Sequence, residues 1–188
     1  TITNDITNVI APGTKGEYAF KLSGTSEVNY ELSSVITANN TVKYNVTDAT
    51  DIGNLTGTGL LETGNVYSPL KFKLYKGEDS TSGTQVTIAT AVNGRTDTLE
   101  AVVKYLEDEV YGKTGATKTF SAGSAALDAY TITWEWEFNN PTSETDPANT
   151  ISKYDTKIAQ TAVNTPAALT VSLKTDITAK QINTVVAP

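Results

Sequence analysis

The sequence contains no cysteine, no histidine and no methionine, and Arg95 is its single arginine. Without cysteine there is no disulfide, no thiolate nucleophile and no Cys-ligated zinc or iron–sulfur centre. Without histidine neither a Ser-His-Asp triad nor an H-E-x-x-H zinc site can be built. The missing methionine raises the expectation of a processed N-terminus, with a signal peptide removed and the protein exported. No apolar run approaches the roughly 20 residues of a membrane span. The net charge is −7 and the few cations form no cluster, so nucleic acid is not an expected partner. No cofactor is expected either.

What is present is a Thr-, Ser-, Asn- and Gly-rich chain of 188 residues, long enough for one domain with a core of its own. β-Branched Thr suits the exposed face of a pleated sheet, which favours a secreted β protein. The clearest segment is 130–138. Tyr130, Ile132, Trp134, Trp136 and Phe138 occupy the even positions, and Thr or Glu the odd ones. A period of two predicts a strand with one face in the core and the other in water.

Similar alternation predicts strands at Tyr18-Phe20-Leu22, at Val28-Tyr30-Leu32 continuing toward Ile36, and at Leu70-Phe72-Leu74. Further strands are expected around Val42-Tyr44-Val46, Val86-Ile88, and Leu169-Val171-Leu173 with Ile177 in phase. The stretch 51–64 reads as a long excursion or hairpin, and 139–149 as a polar loop. Leu99, Val102, Val103, Leu106 and Val110 have helical spacing. An amphipathic helix is therefore expected at about 97–111, with Asp97 and Glu100 as a capping box and Gly112 as its stop. A short helix is expected at about 155–162. The predicted fold is mainly β, a jelly-roll-like two-sheet sandwich of one domain with one helix inserted. The segment 179–188 reads as a C-terminal tail.

Three pieces carry a resemblance. They are the Ala11-Pro12-Gly13-Thr14-Lys15-Gly16 turn within 8–20, the strand at 130–138, and Asp155-Thr156 with Ala159 and Ala162. Together they resemble the TasA/camelysin group of secreted proteins from Gram-positive bacteria. The resemblance implies a jelly-roll subunit that polymerises into extracellular fibres of a biofilm matrix or cell surface. Its partners would be identical subunits, with an accessory or anchoring protein beside them. In filamentous relatives the N-terminal segment of one subunit inserts as a strand into the next. This chain lacks the small-residue, Phe-containing strand that often follows the signal peptide in that group.

The residues themselves offer a candidate for such a strand. Segment 1–10 carries Ile2, Ile6 and Ile10 on one face, with Asn4 and Asn8 between them, ahead of the Pro12-Gly13 turn. Donation to a neighbour would place the three isoleucines in a subunit interface. The plain alternative is a first strand in its own sheet, and a second donor candidate is the tail with Ile182, Val185 and Val186. For a metal, Glu144, Asp146 and Asp155 form the best oxygen-ligand set, suited to Ca²⁺, with Asp48 and Asp51 ranking lower. No catalytic set stands out: Glu135 and Glu137 fall on the expected solvent face of the aromatic strand. Asn39, Asn45 and Asn54 begin N-x-T sequons. Besides the fibre subunit, a monomeric surface-binding module using 37–68 and 139–154 and a secreted hydrolase remain open.

Overall fold

A computed structural model describes residues 2–5, 10–124, 127–139, 146–165 and 169–183. In chain order the strands are β1 (Ile2–Asp5), β2 (Lys15–Phe20), β3 (Tyr30–Asn40), β4 (Tyr44–Asn45), β5 (Leu61–Glu62) and β6 (Val66–Tyr67). They continue with β7 (Leu70–Lys76), β8 (Thr84–Gln85), β9 (Gly112–Lys113), β10 (Ala116–Phe120), β11 (Tyr130–Trp136) and β12 (Val171–Gln181). The α-helices are α1 (Ala49–Leu55), α2 (Leu99–Tyr105) and α3 (Pro147–Asn164), and a π-helical segment (Leu106–Tyr111) extends α2.

Two antiparallel sheets form a sandwich. One has the order β1-β12-β3-β10-β9 and the other β2-β11-β7-β8, while β4, β6 and β5 form a small third sheet. Setting aside the two-residue β9, the two sheets hold eight strands. In one sheet the first strand lies beside the eighth, then the third and sixth. Opposite them the second lies beside the seventh, then the fourth and fifth. That interleaving is the jelly-roll order, in which two Greek keys wrap one core. The mainly β, jelly-roll-like reading therefore holds. Ile36 and Val171 from one sheet join Phe72, Leu74, Ile132, Trp134 and Trp136 from the other in a single buried cluster.

β11 sits inside its sheet and pairs with both β2 and β7 over its length, which explains why its alternation is so clean. Trp134 faces Gly16 across the β2–β11 pair. A Cβ on Gly16 would lie 2.7 Å from the Trp134 Nε1, so the indole can cross the neighbouring strand only over a glycine.

Several elements differ from expectation. Val28 lies outside β3 and is exposed. The Ser26 hydroxyl accepts the Val28 N–H and donates to its carbonyl, and this local turn withholds Val28 from the ladder. β3 instead runs on to Asn40, and β12 takes in 179–181 from the expected tail. The excursion at 51–64 overlaps α1, which starts earlier at Ala49 behind its cap Asp48, and leads into the β5–β6 hairpin. Val86 and Ile88 lie beyond β8 but still pack on the core.

The helix at 97–111 is present with a different cap. The Thr98 hydroxyl accepts the Ala101 N–H at 3.2 Å, while Asp97 accepts from the Arg95 Nε at 2.8 Å. Arg95 is buried and also donates to the carbonyls of Ser68 and Leu70, fastening the approach to β7. In the π-helical segment Glu107 accepts the Ile36 N–H, just past the single β3–β9 bridge at Ser34. A side chain thus continues the β3 edge where the pairing strand stops. Gly112 ends the segment at φ 72°, and a Cβ there would meet the Lys118 nitrogen at 2.6 Å.

α3 is the largest correction. It spans Pro147–Asn164 rather than 155–162, starting from Asp146 as N-cap with Pro147 in its first turn. Thr150, Ile151, Tyr154, Asp155 and Ile158 form its buried stripe, so a carboxylate occupies one of five buried positions. Among the described residues no helix is long and apolar enough to cross a membrane.

Candidate functional site

β12 pairs with β3 along all eleven of its residues, from Val171 opposite Asn40 to Gln181 opposite Tyr30. Its other side is covered by β1 over four positions only, Ile2 opposite Thr175 through Asp5 opposite Ser172. Among the described residues no strand lies along 177–181 on that side. Backbone groups left without a ladder partner at a sheet edge are a template for another strand.

The facing edge of the other sheet is β2, so the sandwich gapes between β2 and β12. A small cavity of about 30 Å³ opens there, lined by Tyr18, Phe20, Leu22, Tyr111, Leu173 and Ile177 among others. Further along, a groove of about 340 Å³ runs beside Leu22, Val28, Leu32, Leu127, Ala179 and Gln181. Tyr18 and Phe20 stack at 5.9 Å, and Phe20 stacks on Tyr130 at 6.4 Å, giving the gap an aromatic wall. Tyr111, the last residue of the π-helical segment, is 1% exposed, and its hydroxyl has no hydrogen-bond partner among the described residues. Burial pushes this phenol well above its ordinary pKa, so it stays a neutral donor and acceptor.

Of the three isoleucines expected at an interface, Ile2 lies in β1 opposite Thr175 and Ile10 is half-buried against the core. Ile6 falls outside the described residues, as do Val185 and Val186 of the tail. The Ile182 N–H donates to the Asn29 carbonyl, so the strand end is fastened on its β3 side.

The expected Ca²⁺ ligands are not brought together. Glu144 lies outside the described residues. Asp146 caps α3 by accepting the Ala148 N–H, and Asp155 lies nine residues further along the helix, about 13 Å at 1.5 Å per residue. Among the described residues no group of three acidic side chains is placed to hold a metal ion. Asp48 caps α1, and Asp51 accepts from the Lys153 Nζ at 2.6 Å and the Tyr154 hydroxyl at 2.7 Å. Glu135 and Glu137 are both exposed, the latter paired with Lys71.

Asp155 has a different task. Its Oδ1 accepts from the Tyr67 hydroxyl at 2.6 Å and from the Trp136 Nε1 at 2.9 Å, and the residue is 6% exposed. Burial raises its pKa, and the two hydrogen bonds pull the other way. The Gly13 N–H donates to the Trp136 carbonyl at 2.8 Å, and the Trp136 N–H to the Thr14 carbonyl at 2.9 Å. The proline–glycine turn, the aromatic strand and the aspartate–threonine helix thus converge on Trp136. They act as a structural joint that fixes where the segment after β1 enters β2.

Sequence reasoning missed Tyr111 as a feature of the gap, since a tyrosine at a helix end reads as ordinary core. It also missed Lys43, whose Nζ lies 3.0 Å from both Glu62 and Glu100 and ties the β3–β4 connection to α2. The sequence matches no protein-family model, and comparison with curated proteins returns no match.

Proposed function

We propose that the protein is a secreted, non-catalytic subunit of an extracellular filament, in which the N-terminal segment of one copy adds as a strand to the next. The observation that supports it is the outer edge of β12, where among the described residues no strand covers 177–181, beside an apolar gap between the sheets. A strand laid there would gain backbone hydrogen bonds, and its inward side chains would enter the gap. The alternating segment 1–10 suits that role, since β1 already occupies the neighbouring stretch of the same edge. A contact between one end of a subunit and a different surface of the next does not close on itself, and it propagates as a fibre. The two β12 lysines, Lys174 and Lys180, are paired with Asp176 and Glu31.

The test is electron microscopy of the purified protein at native concentration, beside an Ile2→Asp/Ile6→Asp variant. Regular filaments from the wild type and dispersed, folded particles from the variant are expected. Filaments unaffected by the two aspartates would remove the N-terminal strand from the mechanism. Wild-type protein that stays dispersed even when seeded would favour the monomeric surface-binding module instead.

A further inference from the structure

Three elements bring one amine and two carboxyls to a single point. Lys43 follows the bend between β3 and β4, where the Asn40 side chain accepts the Val42 N–H and the Thr41 carbonyl accepts the Lys43 N–H. Glu62 is the last residue of β5, opposite Val66 of β6. Glu100 lies in the first turn of α2, behind the Thr98 cap. The Lys43 Nζ is 3.0 Å from Glu62 Oε1, from Glu62 Oε2 and from Glu100 Oε1. A nitrogen equidistant from both oxygens of a carboxylate stands within about 3.5 Å of the carbon between them, the span of a near-attack arrangement.

The site is closed as well as crowded. The side chains of Glu62 and Lys43 are 4% and 18% exposed, and Val42 and Leu99, which precede Lys43 and Glu100, are buried. As an ion cluster the arrangement is unbalanced, because two carboxylates face one ammonium. Glu62 Oε2 and Glu100 Oε1 take its hydrogen bonds. Glu62 Oε1 and Glu100 Oε2 are buried with no hydrogen-bond partner among the described residues. Excess charge and unbonded oxygens held away from water are costly.

We propose that Lys43 and Glu62 condense to an internal amide, Nζ to Cδ, with Glu100 as the proton relay. The Nζ passes a proton to Glu100, and the freed electron pair attacks the Glu62 Cδ. One C–N bond forms and one C–O bond breaks. A Glu62 oxygen leaves as water with two of the three ammonium protons, both delivered through Glu100, which ends as the carboxylate it was at the start. Nothing is oxidised or reduced, and no co-reactant is consumed. The product replaces two of the three buried charges by an amide whose N–H faces Glu100. Burial then keeps bulk water from reversing the step. The two residues are 19 positions apart, so the bond closes α1 and its Asp48 cap into a covalent loop. Such a closure restricts the unfolded chain as a disulfide would, in a protein that has no cysteine. It belongs to the single subunit and does not depend on polymerisation.

Intact-mass spectrometry of the denatured full-length protein tests this, beside Lys43→Arg, Glu62→Ala and Glu100→Gln, each checked for folding by circular dichroism. The wild type is expected to be lighter than its sequence by one water, and the first two variants to have their full sequence mass. Cleavage at Asp48 and Asp51 opens the loop. Residues 43 and 62 should then emerge in one branched peptide, identified by tandem mass spectrometry. Glu100→Gln should fold and be mainly unlinked when purified, since a positioned proton relay contributes about a hundredfold or more in rate. Wild type that keeps its full mass after prolonged incubation overturns the proposal and leaves an ion triad only. A water lost anywhere other than between 43 and 62 does the same. Complete linking of Glu100→Gln overturns the relay. The wild-type mass and the branched peptide decide the bond even where a variant fails to fold.

Discussion

Trp136 donates its indole N–H to Asp155 at 2.9 Å, joining the C-terminal end of the aromatic strand to the buried face of α3. Tyr67 brings a second donor to the same oxygen from the small sheet. One carboxylate thereby ties three parts of the fold together, and its removal leaves two buried donors without an acceptor.

Asp155→Ala is accordingly expected to cost about 3 kcal/mol, at roughly 1–3 kcal/mol for each orphaned donor. Asp155→Asn keeps an accepting oxygen and should cost far less. The sign of the pH dependence follows from burial, which raises the folded pKa of Asp155 above its ordinary value of 3.8. The folded state then favours the protonated form, so that contribution is full below the unfolded value and is lost as pH rises through the folded one. Denaturant unfolding from about pH 4 to 7 should show wild type losing stability relative to Asp155→Asn. Parallel curves for the two proteins would refute the assignment.

Asp51 behaves in the opposite sense. The Lys153 bond first, and the Tyr154 hydroxyl next, hold its carboxyl below the usual range. Its stabilisation is present above the unfolded value of 3.8 and disappears as pH falls through the lower folded value. Asp51→Asn should therefore be less stable than wild type near neutrality. The difference should shrink toward about pH 2, below both values, as followed by acid titration of circular dichroism.

Gly16→Ala tests the crossing of Trp134 over β2. The added Cβ falls inside the indole contact, so the ring or the strand must move, at about 1–3 kcal/mol. A lower melting temperature should come with a shift in tryptophan emission.

Thr98→Ala should cost about 1 kcal/mol, the usual loss for an N-cap, and Thr98→Ser should restore most of it. Asp97→Ala should act by another route, through the buried Arg95 it now pairs. A cap effect at Asp97 that serine at 98 does not alter would contradict the observed geometry.

These cases also show where the sequence was legible. β2 and β7 were plain because each has one wetter and one drier face, written directly as alternation. In β11 the even positions are dry as expected, but Thr131 is buried as well. Phe138, expected on the dry face, lies beyond the strand and is 71% exposed. α3 was truncated because its stripe contains Asp155 where an apolar residue was expected, and because its first turns are made of Asn and Thr. The Asp146-Pro147 start was nonetheless readable as a cap followed by an N1 proline. α1 has only seven residues, two of them buried, too few for a period to emerge. Asp97 looked like a cap because spacing alone cannot tell which of two adjacent oxygens turns toward the helix. The open β12 edge and the Tyr111 hydroxyl depend on pairings between distant segments, and no local pattern encodes them.

The β3–β12 ladder also has a kinetic consequence. Its rungs join residues 131 to 151 positions apart in the chain, and β12 stands between β1 and β3 in its sheet. Until the last strand has been synthesised, the first strand has nothing to lie against and the central one lacks a neighbour. Contacts of such long range make folding slow, because loop closure must precede any gain from pairing. The β1 edge of the sandwich is therefore the last part to close, and β12 decides when it does.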